Sequence, residues 1–308
     1  MEFQVSGVTV APWVPPLVAF AISFFTSMGG VSGAFLLLPF QISVLGYTAP
    51  SVSATNHLFN VVAIPSGIWR YVREGRMVWP LAAIVVAATL PGVLIGAVVR
   101  IRLLPDPRSF KLFAAAVLLY IGVRMAADLL NRRRGKRPAG AAEERFHRMV
   151  AAHRERSEAA DRPLPVVTVR RFSAARIDYE FYGEAFSFPT LGIFALAFAV
   201  GIAGGIYGIG GGAIMAPFFV SVFGLSVYTV AGAALLGTLV TSVAGVGFFT
   251  WLGVGPDWPL GLLFGLGGAA GMYCGARAQK HVPARAIKIM LCLVILMTAS
   301  RYIVGFFR

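Results

Sequence analysis

Residues 204–212, Gly-Gly-Ile-Tyr-Gly-Ile-Gly-Gly-Gly, interrupt a long apolar stretch and decide how this chain folds. A second glycine-rich break, Met-Gly-Gly-Val-Ser-Gly at residues 28–33, interrupts an apolar stretch near the start of the chain. The segments after the two breaks align at an offset of 178 or 179 residues: Pro39 with Pro217, Gly46 with Gly224, Trp79-Pro80-Leu81 with Trp258-Pro259-Leu260, Gly92 with Gly271, and Gly96 with Gly275. This duplication predicts two structural repeats, each of which opens with a broken helix.

The composition indicates an integral membrane protein. Hydrophobic residues make up 57% of the chain and charged residues only 13%, whereas a soluble domain carries about 25% charged residues. All 13 acidic residues fall in predicted loops or at helix ends, because burying a charge in hydrocarbon is costly. Thirteen of the 27 basic residues lie between Arg132 and Arg176. Beside membrane spans, such a loop indicates the cytoplasmic side and contact with lipid headgroups, so we expect no nucleic-acid partner.

Eight apolar segments are predicted to cross or enter the membrane. The first and the fifth exceed 30 residues, which is too long for one crossing of about 20 residues and too short for two. None of the apolar stretches on either side of the two glycine-rich breaks is long enough for an ordinary membrane span. The segments are 14–45, 50–69, 78–99, 109–129, 188–223, 226–252, 258–276 and 284–306.

The distribution of basic residues favours re-entrant hairpins over kinked crossings for the first and fifth segments. The loop of Arg70 and Arg73 is expected to be cytoplasmic in either case, and re-entrant hairpins place the loop around Arg277 and Lys280 on that side as well. One exception to this charge rule remains, because Arg100 and its basic neighbours stay outside. The predicted fold is an all-α membrane protein of two inverted repeats, each a re-entrant or broken helical hairpin plus three transmembrane helices.

The chain accordingly divides into three parts. Residues 1–130 form the first membrane repeat, and residues 188–308 form the second. Residues 131–187 form a basic cytoplasmic loop, with a surface helix predicted over 143–161. A small β-hairpin is predicted from the alternating residues 166–170 and 177–182.

The glycine breaks suit a small anion. Glycines allow a tight reversal, and the half-helix that begins at each break presents unpaired backbone N–H groups there. Two such N-termini that converge would hold an anion through backbone groups alone, so that the protein needs no charged side chain in the membrane. Close helix packing is the alternative role for these glycines. We expect the contacts to come from Gly30, Ser32 and Gly33 at the first break, and from Gly208, Gly210 and Gly211 at the second, with Tyr207 closing over the ligand.

Polar residues at related positions of both repeats complete the predicted site. The second segment carries Asn56, His57 and Asn60, and the corresponding segment of the other repeat carries Thr238 and Thr241. Polar side chains within membrane helices face a bundle interior or a water path, or form hydrogen bonds between helices. His57 relays a proton, donates to a substrate oxygen or forms a structural hydrogen bond.

No enzymatic, cofactor or metal site is predicted. The spans contain no pair of nucleophile and base, and the two cysteines, Cys274 and Cys292, lack metal-ligand spacing. We expect both cysteines to be buried apolar side chains.

The membrane part resembles the TauE/SafE family of sulfite exporters. The similarity rests on the eight apolar segments, the Pro-Phe pairs after the breaks (Pro39-Phe40 and Pro217-Phe218) and the run Gly-Thr-Leu-Val-Thr-Ser at 237–242. It covers about 14–130 and 188–308 but not the central loop. The resemblance implies export of a small sulfur-containing anion, such as sulfite, sulfoacetate or another organosulfonate, from a homodimer in the bacterial inner membrane.

The first break departs from a plain glycine cluster, since it contains Ser32 and is three residues shorter. We therefore expect the two tips to contact the ligand differently. Alternative functions at this point are a passive small-anion channel and a sensor or scaffold that acts through the central loop.

Overall fold

The computed structural model describes residues 1–28, 32–73, 75, 77–133, 167–173, 175–181, 184–212, 215, 218–219, 223, 225, 227–278 and 284–307. The protein is mostly helical. The elements are β1 (Glu2–Phe3), β2 (Val8–Thr9), α1 (Val14–Met28), α2 (Ala34–Ser43), α3 (Ser51–Ala63), α4 (Pro65–Arg73), α5 (Trp79–Arg102), α6 (Pro107–Arg133), β3 (Thr168–Phe172), β4 (Arg176–Phe181), β5 (Glu184–Pro189), α7 (Thr190–Tyr207), α8 (Val227–Trp251), α9 (Trp258–Ala278) and α10 (Ala284–Phe307).

Helix lengths separate the candidate spans from the shorter apolar helices. Within the described ranges, five helices are long and apolar enough to cross a membrane: α5, α6, α7, α8 and α10. Helix α1 has 15 residues and α2 has 10, so α1 extends about 22 Å, less than the roughly 30 Å of a hydrocarbon core. Helix α7 has 18 residues and meets the length of a span. The expectation that neither run beside a break reaches that length is therefore wrong for α7.

Glycine and proline set the helix boundaries. Helix α7 ends at Gly208, which adopts the left-handed conformation (φ 81°) and whose N–H donates to Gly204 O at 2.8 Å. Helix α3 ends at Ala63 and α4 begins at Pro65, because proline lacks the N–H that would continue the first helix. At the start of α6, the backbone N–H of Ser109 donates to the Asp106 carboxylate and lowers the pKa of Asp106 below its ordinary value.

Polar side chains lie inside the helix bundle and apolar side chains cover its surface. Gln41, Asn56, His57 and Asn60 are all fully buried. Large apolar residues such as Leu293 are exposed on the outer faces of the helices. This distribution is the reverse of that in a soluble protein, and it is stable where hydrocarbon surrounds the bundle.

Two pairs of helices from different halves of the chain pack closely and run in the same direction. On α9, Gly267 faces Pro16 and Gly271 faces Phe20 of α1. Residue numbers rise in the same direction on both helices, so α1 and α9 are parallel. On α5, Gly92 faces Phe198, and Gly96 likewise faces Ile202 of α7. Gly92 and Gly271 align between the repeats, and Phe198 and Phe20 are themselves 178 residues apart. The same backbone contact is thus made twice, and only glycine allows it because a Cβ would overlap the facing backbone.

The remaining directions follow from contacts of α3 and α8. Gly261 and Gly265 of α9 face Leu58 and Val62, so α3 runs with α9 and hence with α1. Helix α8 runs opposite to α3 and α4, since Gly245 faces His57, and Gly232 faces Tyr71. Helix α2 also runs opposite to α3, because its residues contact α3 in reverse order: Ser32 with Asn60, Gln41 with Asn56 and, just after α2, Tyr47 with Thr55. Helix α5 runs with α8, as Gly237 faces Val85 and Phe249 clusters with Ala97.

Two small sheets lie outside the helices. The alternating stretches of the central segment form β3 and β4, which pair antiparallel, and β5 adds a third strand beyond the predicted hairpin. The sheet is attached to the bundle through Thr190, at the start of α7, whose N–H donates to Ala175 O. The predicted surface helix over 143–161 lies outside the described residues.

The N-terminal hairpin of β1 and β2 was also not predicted. It is fixed to the turn between α8 and α9, where Ser6 N and Ser6 Oγ donate to Asp257 Oδ2 at 3.0 and 2.8 Å. Phe3 and Val8 are buried. Strands of two residues give no recognisable periodicity, which is why the sequence did not reveal them.

Candidate functional site

The side chain of Asn60 lies between the two glycine breaks. Its Oδ1 accepts from Ser32 Oγ at 3.1 Å, and its Nδ2 donates to the carbonyl of Ile209 at 3.1 Å. Nδ2 also lies 3.3 Å from Ser242 Oγ of α8. One fully buried amide therefore contacts the first break, the second break and α8.

His57 lies one turn before Asn60 on the same face of α3. Its Nδ1 is 3.2 Å from Ser242 Oγ, and Gly245 provides the space that the ring occupies. The ring is fully buried, and its Nε2 has no hydrogen-bond partner among the described residues. Ser242 therefore links His57 and Asn60. It belonged to the polar run at 237–242 but was absent from the predicted contacts, because the run alone does not say which hydroxyl faces α3.

The first break places Ser32 and Gly33 at the start of α2. Ser32 is 3% exposed, and its hydroxyl accepts from Ala34 N at 3.3 Å while it donates to Asn60. Gly33 is the N-cap residue of α2 and faces Ser23 and Phe59. Gly30 lies outside the described residues.

The second break packs directly against α3. A Cβ on Gly208 would lie 2.8 Å from Ser53 Cα, so the positive φ and the close approach both require glycine. Ser53 Oγ donates to Ile206 O at 2.9 Å. Gly210 also has a positive φ, of 71°, and its Cβ position is 3.0 Å from Ser242 Oγ. Gly211 is buried beside Thr89 of α5.

Tyr207 connects the two breaks. Its hydroxyl donates to Phe35 O of α2 at 2.8 Å, and the side chain is fully buried. The hydroxyl thus connects the end of α7 to the first turn of α2.

Thr238 and Thr241 do not hydrogen-bond to the α3 residues. Thr238 Oγ1 donates to Ala234 O, and Thr241 Oγ1 donates to Gly237 O, both within α8. Thr238 nevertheless lies beside Gly210 and Gly212 of the second break, whereas Thr241 forms no hydrogen bond with α3 or with the described residues of either break. A hydroxyl on a membrane helix satisfies itself on the preceding turn unless a better acceptor is near.

Asn56 faces α2 rather than the second break. Its Nδ2 donates to Ala34 O at 3.0 Å, and its Oδ1 accepts from Gln41 Nε2 at 3.3 Å. Gln41 was not predicted, although a lone amide in an apolar helix is a recognisable signal. Its Oε1 is buried and, within the described ranges, has no partner.

The assembled site is neutral and rich in hydrogen-bond donors. In the hydrogen bonds formed among the described residues, none uses the backbone N–H of Ser32, Gly33, Gly210 or Gly211, and all four residues are buried. Backbone N–H groups at the start of a helix can bind a ligand that has accessible lone pairs. Such a site can bind an oxyanion or a polar oxygen-rich molecule.

The metal-ligating residues form no cluster. No group of three or more His, Cys, Asp or Glu side chains occurs in the described part of the chain. Cys292 is buried, but Cys274 is exposed, so the expectation of two buried cysteines is wrong for Cys274. Its position near the end of α9 places it on the outer surface of the bundle.

Comparison with known proteins identifies one family. The family model described as "Sulfite exporter TauE/SafE" matches residues 16–302 of the 308-residue chain. Neither the curated proteins nor the solved structures contain a match.

Proposed function

Because the chain belongs to the sulfite exporter TauE/SafE family, a family of membrane transporters rather than enzymes, we propose that it exports a small sulfur-containing anion by alternating access. The substrate class is sulfite, sulfoacetate or another organosulfonate. The observation that carries the proposal is the position of Asn60, whose amide contacts Ser32 of one break and Ile209 of the other. A sulfonate or sulfite group offers three oxygens, which suit several neutral donors at once.

The two breaks are proposed to be tips of re-entrant hairpins that enter the membrane from opposite faces. Helix α1 runs with α3 and α2 runs against it, so the chain returns to the face from which α1 started. Helix α7 runs with α5 and therefore with α8, so the chain must also return to the face where α7 began before α8 starts. Since α3 and α8 run in opposite directions, the two hairpins start from opposite faces. These contacts support an inverted repeat.

Alternating access is supported by the closure of the site. Asn60, His57 and Ser242 are fully buried, so a ligand can reach them only if the hairpins and helices separate. The exposure of a binding site to each face in turn is what distinguishes a transporter from an open pore.

The ligand contacts proposed for this site combine both hairpin tips with α3 and α8. We retain Gly30, Ser32, Gly33, Asn56, His57, Asn60, Tyr207, Gly208, Gly210, Gly211 and Thr238, keep Thr241 as the weakest of the set, and add Ser242. Residues 1–130 and 188–308 would form the two membrane repeats, joined by the cytoplasmic segment 131–187. A homodimer in the bacterial inner membrane is part of the proposal, on the basis of the family.

The test is uptake of radiolabelled sulfite into proteoliposomes that contain the purified protein. We expect flux that saturates with sulfite concentration and is inhibited by sulfoacetate more strongly than by phosphate or formate. Protein-free liposomes are the control. Flux that rises without saturation would support the passive channel instead, and the absence of any protein-dependent flux would exclude both.

A thermal-shift measurement identifies the substrate independently of flux. A ligand at a hundred times its Kd stabilises the folded state by about 2.7 kcal/mol. We therefore expect a raised Tm with one or more of sulfite, thiosulfate, sulfoacetate and taurine at millimolar concentration. A native mass measurement of the detergent-purified protein tests whether it is a homodimer.

A further inference from the structure

Arg100, at the end of α5, is a buried cation that the proposed site does not use. Its side chain is 0% exposed. One guanidinium nitrogen donates to Thr48 O at 2.9 Å and another donates to Leu104 O, while the group stacks 3.6 Å from the centre of the Phe110 ring. Its Nε is buried and has no partner among the described residues.

No carboxylate neutralises Arg100 in the described part of the chain. Asp257, which like Arg100 interacts electrostatically with Tyr47, accepts instead from Ser6 and from Leu260 N, and it forms no ion pair with Arg100. A buried guanidinium without a counter-ion is costly, and a bound anion would offset that cost. Helix α5 has 24 residues and begins near Arg70 and Arg73, whereas Arg100 lies at its other end.

A series of polar contacts connects Arg100 with the proposed site. Along the interface of α2 and α3, Ser32 contacts Asn60, Gln41 contacts Asn56, and Tyr47 OH lies 3.1 Å from Thr55 Oγ1. Tyr47 precedes Thr48, whose carbonyl accepts from Arg100, and Tyr47 interacts electrostatically with Arg100. All these side chains are buried, so the interface is polar but closed. Polar side chains between membrane helices are costly unless they form structural bonds or line a path for water and ions.

We propose that the interface of α2 and α3 opens as the anion route to the membrane face opposite the basic central segment, and that Arg100 is an anion-binding residue at the end of this route. The inference rests on the proposed function, because it assigns the route by which the same anion leaves the central site. In the closed state Arg100 holds the segment after α2 through Thr48. When α2 moves, the guanidinium exchanges that carbonyl for the anion, and its free Nε provides a further donor.

The first test compares Arg100→Gln with Arg102→Gln in oriented membrane vesicles. Arg102 is exposed on the same turn of α5, so its replacement removes the same charge without the buried contacts. In right-side-out vesicles, which present the Arg100 face, we expect Arg100→Gln to raise the half-saturation concentration for sulfite about tenfold, as for the loss of one charged contact. In inside-out vesicles the value should change less than about twofold, and Arg102→Gln should change neither.

A second test does not depend on the stability of the Arg100 variant. In a background with Cys274 and Cys292 replaced by alanine, Gln41→Cys is compared with Leu37→Cys, which is equally buried on α2 but faces the apolar core. A membrane-impermeant maleimide added at the Arg100 face should label residue 41 at least about fivefold faster than residue 37, since only the former lines the opened route. Addition of sulfite should change the rate at residue 41 only.

The outcomes separate the route from the transport function. Saturable sulfite uptake by the unmodified protein in both vesicle types establishes transport before any variant is compared. An equal effect of Arg100→Gln on both faces, no effect on either, or equal labelling at residues 41 and 37 would overturn the route while leaving transport intact. If Arg100→Gln does not accumulate as folded protein, the labelling comparison alone decides.

Discussion

Replacement of Asn60 by leucine tests the binding site most directly. Leucine has the same branching as asparagine but cannot form the three hydrogen bonds that Asn60 makes to Ser32, Ile209 and Ser242. A side-chain hydrogen bond between membrane helices contributes about 0.6 kcal/mol on average, so the three together contribute about 2 kcal/mol. A leucine is itself well tolerated in a buried apolar helix, so we expect a folded, monodisperse protein with a lower Tm.

The loss of binding is expected to exceed the loss of stability. If the amide donates to the bound anion, its removal costs about 1.5–3 kcal/mol of binding free energy, which is about 10- to 150-fold in Kd. Asn60→Asp has the same shape, but it removes the donor and places a negative charge beside the anion. We therefore expect Asn60→Asp to bind even more weakly than Asn60→Leu.

The assay is the sulfite-dependent change in Tm, measured for each variant against its own ligand-free value. This difference removes the effect of the substitution on stability. Thr298→Val is the control, because the Thr298 hydroxyl donates only to Val294 O of its own helix, remote from the site. An unchanged sulfite Kd in Asn60→Leu would refute the assignment of this amide to the site and, with it, the observation on which the proposed function depends.

Three further substitutions test individual contacts. Gly208→Ala should destabilise the protein by about 3 kcal/mol or more, because alanine is strained at positive φ and its Cβ would overlap α3. Gly247→Ala is the control and should not lower the Tm, since a Cβ there meets nothing within 4 Å. Equal Tm values for the two variants would contradict the close packing at Gly208. Tyr207→Phe should lower stability by about 1 kcal/mol in thermal unfolding, since it removes the hydrogen bond to Phe35 O, and no change would mean that the hydroxyl contributes nothing. Asp257→Asn should loosen the N-terminal hairpin, because an amide has only one acceptor oxygen and cannot accept from Ser6 and from Leu260 N at the same time. Faster proteolysis before residue 13 checks this, and protection equal to that of the unmodified protein would disprove it.

Much of the architecture could be predicted from local properties of the sequence. The low charged fraction requires a lipid environment, and the paired glycine breaks predict where two long apolar segments must interrupt their helices. Asn60 and His57 could be placed on one helical face because α-helical periodicity depends only on sequence spacing. The length of α7 was underestimated, because the end of a helix within a glycine-rich run depends on the packing of each glycine.

The partners of each side chain required the tertiary structure. Spacing in α8 predicts that Thr238, Thr241 and Ser242 are near one another, but only packing against α3 turns Ser242 rather than Thr241 towards Asn60. Arg100 conflicts with the charge rule when only the sequence is known, and burial against Phe110 and Thr48 accounts for it. The sequence by itself determined that this is a membrane protein with two broken, repeated units, because hydropathy and backbone freedom are properties of each segment alone. Which groups meet at the centre was decided by tertiary packing, since a contact between residues far apart in the chain depends on both surfaces at once.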